Sequence, residues 1–374
     1  MPDRSRRPDR WSLPRHGWLW WLPFFAVLID LAAEIALRGQ EPVSFLLTGV
    51  PPLAAATRGP RGTAVATAGC LGLQMLMAAL RPGHFAEQHH VALYAGTLLI
   101  GTASIALAWQ RERTKQHLIR ARSVAEAMQK TLLRPVPRRL GPVRAAGFYA
   151  AGEGGTLVGG DLYDICTTPF GVRVIIGDVR GKGMDAVQTV AAVLGSFRVS
   201  AHEWTSLSSL AERLELSIAR NSPAGEDGDP ELFVTALVLE FPHTGGAVRV
   251  VDRGHPPPIV LGPHGARYLA TVPGLPLGLG GMSPGRPAET TQHALGPGEV
   301  LVVHTDGVSE ARDASGHFYP VRDRLAEHFG DTRSLQPEAI VAFLQSDTEH
   351  WSADAATTDN DDQAALALML THPR

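Results

Sequence analysis

Gly177-Asp178-Val179-Arg180-Gly181-Lys182-Gly183 is the stretch on which the reading of this chain turns. It closes Val172–Val179, an apolar run rich in β-branched residues, and opens the helical pattern Met184–Glu203. A strand that ends in an acidic, glycine-flanked turn before a helix is a structural sentence with a chemical word at its end. The same word recurs. Gly159-Gly160-Asp161-Leu162-Tyr163-Asp164 lies within Leu157–Cys166, His304-Thr305-Asp306-Gly307-Val308-Ser309-Glu310 ends Val300–His304, and Asn360-Asp361-Asp362-Gln363 precedes Ala364–Leu370. One Asp-Gly turn means little, because such turns form for backbone reasons alone. Four acidic strand ends can converge on one point. A cluster of hard oxygen donors suits Mg²⁺ or Mn²⁺ and is wrong for zinc. The Gly177–Gly183 loop is too short for a phosphate loop, and Gly183 stands where a hydroxyl would hold magnesium.

Around these turns, Leu232–Phe241 and Val248–Val251 read as further strands. Leu207–Asn221, Val321–Phe329 and Pro337–Glu349 read as helices. Strands and helices come in groups rather than alternating strictly. That favours an α+β layered domain over a doubly wound sheet.

Towards the amino terminus the chemistry changes. Between Gly17 and Gln110 there are only eight charged residues, and five of the seven tryptophans lie in the first 109 positions. Apolar runs occupy 18–37, 43–57, 62–80 and 91–109, and a spanning helix needs about 20 apolar residues. The second run is short and carries Pro51-Pro52, so it is either a kinked span or a re-entrant segment. Basic residues favour the cytoplasmic side. Arg4, Arg6, Arg7, Arg10 and Arg15 precede the first run, Arg58 and Arg61 follow the second, and Arg111, Arg113 and Lys115 follow the fourth. Four helices with both ends inside satisfy that pattern. Asp30 and Glu34 share one face of the first helix, facing either a wet bundle interior or a functional site. His84, His89 and His90 crowd one outer loop without completing a ligand set.

Residues 111–139 form a helical linker. Leu118, Ala121, Ala125, Met128 and Leu132 recur at spacings of three and four, and Pro135 and Pro137 stop the helix. The stripe packs on its own soluble domain, on a second copy in a homodimer, or on both. The expected domains are therefore 1–110 in the membrane, 111–139 as linker and 140–374 soluble. A formal net charge of −3 argues against nucleic acid as a partner. Two cysteines, Cys70 and Cys166, cannot build a disulfide framework. Cys166 sits in an apolar strand and reads as core.

From Met128 to Leu370 the order and spacing resemble the protein phosphatase 2C superfamily of metal-dependent serine/threonine phosphatases, in its bacterial SpoIIE-type branch. Met128-Gln129-Lys130-Thr131-Leu132-Leu133-Arg134-Pro135 is similar to the helix preceding the domain in that branch. Leu232-Phe233-Val234-Thr235-Ala236-Leu237, Gly254-His255-Pro256-Pro257-Pro258 and Gly274-Leu275-Pro276-Leu277-Gly278 resemble its internal signatures. Leu162 replaces an aromatic common in that branch, and Asp252-Arg253 replaces small residues. The membrane half carries no assignable motif.

The resemblance implies a four-layer α-β-β-α sandwich with a two-metal site at one edge, preceded by an all-α membrane bundle. Position by position, Asp161, Asp178, Asp306 and Asp361 match the metal-binding aspartates. Asp178 would bridge two Mn²⁺ or Mg²⁺ ions, and the Val179 carbonyl would be a further ligand. Asp164 and Asp362 would be neighbours able to hold waters. Arg180 and Lys182, beside the bridging aspartate, are candidates to attract phosphate. His255 is a proton shuttle or, more simply, a turn former. The expected function is a multi-pass bacterial inner-membrane phosphatase, its catalytic domain cytoplasmic. It would act on phosphoserine or phosphothreonine of a regulatory protein, an anti-anti-sigma factor being the type case. The rival is a catalytically silent, membrane-anchored module that binds a partner through the same fold.

Overall fold

The computed structural model describes residues 21–36, 46–80, 88–152, 160–181, 184–221, 233–282, 287–330, 332, 334–353, 355 and 361–371. The chain divides into two compact units, Met1–Ala121 and Arg122–Arg374.

The first unit is helical. Its elements are α1 (Leu22–Ala36), a 3₁₀ turn (Leu46–Gly49) running into α2 (Val50–Thr57), α3 (Pro60–Ala79), and α4 (Gln88–Leu132), within which the division between units falls. Pro51 and Pro52 occupy the first turn of α2, where no intrahelical donor is lost. They start a helix rather than kink one. Leu46–Thr57 is a short apolar helix, and at ~1.5 Å per residue it does not cover a hydrocarbon core. Among the described residues, Pro60–Ala79 and His90–Arg120 are long and apolar enough to cross a membrane. A small core gathers Leu47, Val50 and Cys70 with Val27, Ala66 and Leu73. Arg111 donates to the carbonyls of Ala55 and Ala56, satisfying the last turn of α2. Val65, Leu76, Leu99 and Leu107 lie exposed on α3 and α4. Asp30 is buried. The Glu34 side chain, His84, the His89 side chain, and Trp18 and Trp20 lie outside the described residues.

The second unit is a sandwich of two antiparallel sheets. Six strands run in the order β1 (Arg139–Leu140), β2 (Val143–Ala150), β11 (Gln363–Leu370), β10 (Val300–His304), β7 (Ile259–Gly262), β8 (Gly265–Tyr268). Five run in the order β3 (Asp161–Thr168), β4 (Gly171–Val179), β5 (Val234–Pro242), β6 (Ala247–Arg253), β9 (Thr290–Ala294). Side-chain alternation along β10 sorts the layers. Leu301 and Val303 join Leu366 and Leu368 in the cluster shared with the second sheet, whereas Val300 and Val302 pack outward. Helices α5 (Met184–Glu203) and α6 (Leu207–Asn221) bury Val190, Leu194, Phe197, Leu210 and Leu214 in the first of these clusters. Helices α8 (Val321–Phe329) and α9 (Pro337–Ser352) bury Leu325, Ile340 and Leu344 in the second. The layers are helix, sheet, sheet, helix, as the resemblance implies.

The expected helices coincide closely with α5, α6, α8 and α9, and six expected strands lie on β3, β4, β5, β6, β10 and β11. Strands β1, β2 and β7 to β9 were not expected. β2 (Val-Arg-Ala-Ala-Gly-Phe-Tyr-Ala) has one β-branched residue and is held by its register with all eight positions of β11. β9 is a polar edge strand. The linker helix ends at Leu132, ahead of Pro135, and the Leu132 carbonyl accepts from Arg198 of α5.

One buried charge ties α5 and α6 to the sheet. Arg173 of β4 is wholly inaccessible and donates to Glu240 and to the carbonyls of Ala201, Trp204 and Thr205, where α5 passes into α6. Breaking such a buried pair leaves a charge uncompensated, at about 3 kcal/mol or more. Arg173→Leu is therefore expected to lower stability by about 3 kcal/mol, read as the urea midpoint of the tryptophan signal; an unchanged midpoint removes the clamp from the account.

Candidate active site

Asp161 is the first residue of β3 and Asp178 the last but one of β4, and the two are directly opposite across the ladder. Asp306 opens the short helix α7 (Asp306–Ser309) after β10, and Asp361 lies two residues before β11, the strand paired with β10. Each sheet thus delivers two aspartates to the same edge of the sandwich.

Two glycines let the backbones close in. A Cβ on Gly160 would sit 2.2 Å from the Val179 carbonyl oxygen, and one on Gly307 would sit 1.8 Å from that of Asp362. No side chain fits at either place. The Gly-Asp and Asp-Gly pairs in the sequence are therefore packing requirements as well as turns.

The carboxylates feel one another. Asp161 is buried, and burial followed by the charge of Asp178 holds its carboxyl well above the ordinary range. Asp178 is pushed up to about 8, by burial first and then by Asp306, Asp361 and Asp362. Asp306 is raised by burial, Glu310 and Asp361. The close approach of Asp161 itself offsets a little of the rise at Asp178. Thr305 donates to Asp161 Oδ2 at 2.7 Å and itself accepts from the Ala364 backbone, so it fixes Asp161 between the sheets. Asp362 is buried, accepting from the Tyr149 hydroxyl and from Gly152 N at 3.0 Å. Asp361 is exposed. Among the described residues no three of these groups are drawn tightly enough to make a ready ligand set. They are grouped within electrostatic range, and their carboxylate oxygens are the donor chemistry that fits hard divalent cations.

Asp164 is corrected: three residues along β3 from Asp161, it points to the opposite face and pairs with Arg198 of α5, while its other oxygen accepts from Ile165 N. Its burial is spent on joining helix to sheet. Arg180 lays its guanidinium over the Phe233 ring, 5.2 Å from the centroid. Lys182 lies outside the described residues. Burial pushes the Cys166 thiol up to about 12, the opposite of what a nucleophile needs. Thr305 and Tyr149 were missed. The only sequence signal for Thr305 is its place before Asp306-Gly307, and Tyr149 sits on the unexpected strand β2. A cavity of about 610 Å³ between α6 and the 272–280 loop, lined by Glu212, Glu215 and Arg253, includes none of the aspartates.

Acidic turns at one edge of a two-sheet sandwich clad in helices are the arrangement that the SpoIIE-type resemblance implies. The family model described as Stage II sporulation protein E (SpoIIE) matches residues 168–371, more than half of the chain. The chain belongs to that family. Protein IcfG of Synechocystis is 24% identical over 210 residues, which cover 50% of this chain and 32% of that protein. The chain thus matches about a third of the length of that curated relative. The SiaA PP2C domain of Pseudomonas aeruginosa shares the fold with a TM-score of 0.52, at 12% identity over 71% of this chain and 98% of that one. The RsbU and RsbW domains of a Mycobacterium tuberculosis protein align with a TM-score of 0.49, at 23% identity over 62% and 61% of the two chains.

Raised carboxyl pKa values mean that the folded protein keeps protons the unfolded chain has already lost. Stability without metal should therefore fall as pH rises from the ordinary carboxylate range through about 8, the value for Asp178. Asp178→Asn is expected to flatten that fall, raising the melting temperature at pH 8 and changing it little at pH 5. Parallel melting curves for the two proteins across this window contradict the coupling.

Proposed function

We propose that the chain is a membrane-anchored, metal-dependent phosphatase acting on phosphoserine or phosphothreonine of a cytoplasmic regulatory protein. The observation that carries this reading is the pairing of Asp161 with Asp178 at an edge where Asp306, Asp361 and Asp362 add to the same field. Membership of the SpoIIE family and the PP2C-type sandwich support it. Asp161, Asp178, Asp306 and Asp361, with the Val179 carbonyl, would hold a pair of Mn²⁺ or Mg²⁺ ions, with Asp178 between them. When bound, such ions acidify water and screen the phosphate oxygens.

The chain's own residues supply the rest. Thr305 orients Asp161, Gly160 places no side chain against the Val179 carbonyl, and Tyr149 anchors Asp362. Burial first and mutual repulsion second raise these carboxyl pKa values, and a cation relieves the repulsion, so the same crowding that costs stability favours metal. Arg180 and Lys182 stand in sequence where they would draw a phosphate towards the edge.

The two long apolar helices, their exposed aliphatic side chains and the flanking arginines support a place in a bacterial inner membrane, with the phosphatase domain on the cytoplasmic side. The exposed Leu118 and Ile119 on α4 suit pairing with a second copy. By its family the substrate would be an anti-anti-sigma type of protein, and the membrane helices an input to its dephosphorylation.

The full chain should sediment with membranes and resist extraction by alkaline carbonate. With Mn²⁺ it should hydrolyse p-nitrophenyl phosphate, and Asp178→Asn should reduce the rate to background. A wild-type protein silent with Mn²⁺ on this ester and on phosphoproteins would favour the partner-binding module instead.

A further inference from the structure

His255 is buried, 6% exposed. Its surroundings are built for it. Gly254 turns the chain with φ +73°, the His255 backbone N–H donates to Asp252 Oδ1 at 3.1 Å, and Asp252 is held in turn by the Thr271 hydroxyl at 2.6 Å. The imidazole Nδ1 lies 3.0 Å from Thr235 Oγ1. On its far side the ring faces the backbone of His304, and Nε2, also buried, closes no hydrogen bond of regular geometry there. Burial drives the imidazole down to about 3, so it is neutral at every pH of interest. A turn former gains nothing from any of this. Leaving a buried ring nitrogen poorly satisfied costs free energy that an apolar side chain of similar shape avoids.

What the imidazole holds is informative. In the second sheet Asp161 stands opposite Asp178, and Asp178 stands opposite Thr235. Directly opposed residues put their side chains on one face, about 5 Å apart. Asp161, Asp178 and Thr235 therefore make a single row, and His255 ends it. The row also closes on itself across the sandwich. His255 faces His304; the next residue, Thr305, bonds Asp161. A hydroxyl has one proton and two lone pairs, and the contact with His255 fixes how the remainder is directed.

We propose that His255 is a positioning residue: by holding the Thr235 hydroxyl it sets the polar neighbour of Asp178 and thereby the geometry in which Asp178 takes a divalent cation. This rests on the reading of Asp178 as a metal-binding residue. The histidine touches neither substrate nor metal. It acts through Thr235, and its effect belongs to metal affinity rather than to the chemical step.

The test is a Mn²⁺ titration of the full chain followed by the electron paramagnetic resonance of free Mn²⁺, with melting temperatures recorded for every variant. Partners that orient metal ligands typically contribute about 10–100-fold in affinity. Thr235→Val and His255→Phe should each weaken Mn²⁺ binding by about tenfold. The double variant should be no weaker than either alone, because both remove one interaction. His255→Asn, which presents an amide near the place of Nδ1, should restore most of the affinity. A general loss of packing would not give non-additivity or rescue. If folded Thr235→Val and His255→Phe bind Mn²⁺ as the wild type does, or if their losses add, the positioning role is wrong. Should His255→Phe fail to fold, Thr235→Val against His255→Asn decides the matter in the same way. A folded wild type that binds no Mn²⁺ refutes the metal reading itself, an outcome separate from the others.

Discussion

Like charges held together against their repulsion are the constraint on which the functional half of this protein depends. Asp161 and Asp178 are opposed across a β-ladder, and the charges of Asp306, Asp361 and Asp362 add to the same field. An isolated hairpin bearing that pair would part or slip. Here it cannot, because both faces of β3 and β4 are packed and a slip of one residue would send Leu162, Ile176 and Val174 from the layer each fills into the other. The apolar cluster between the sheets therefore sets the position of the acids. Their electrostatic cost is met by burial elsewhere, the arrangement expected where a local rule is broken for a functional reason.

The outer helices are attached by buried polar clamps as well as by apolar packing. Arg173 grips the junction of α5 and α6, with Glu240 shared between Arg173 and Arg249. Asp164 and Arg198 join β3 to α5. Glu215 of α6 accepts from Arg253 and from the backbone of Gly278 and Gly280, joining α6 to the Gly274–Gly278 signature loop. That loop bridges at Leu277 to Val234, the residue before Thr235. The helices on this face are thus connected to the strands that carry the row Asp161, Asp178 and Thr235.

The sequence was legible where local and tertiary preferences agree. Central strands such as β4, β5 and β10 are covered on both faces and show as continuous apolar runs. α5 and α6 show because their period is clean and long. β2 was illegible, since its alanines and glycine carry no strand preference and only the register with β11 makes it a strand. The four aspartates that gather at one edge were legible from their recurrence at strand ends. Asp164 misled because nearness in sequence is not nearness across a pleat: three residues along a strand reverse the face. Thr305 and Thr235 were silent because a hydroxyl acquires its role only from what stands opposite.

By itself the amino-acid order determined the division into an apolar helical part and an α+β part, the hard-oxygen character of the acidic turns, and the glycines that flank them. Each of these is written in composition or in spacing along the chain. Only the tertiary structure decided which acids share a field, which one is turned to a helix, and that a histidine beside three prolines lies buried against Thr235. Those outcomes depend on strand register and on the meeting of two sheets, and contacts between residues a hundred or more positions apart leave no periodic trace in the sequence.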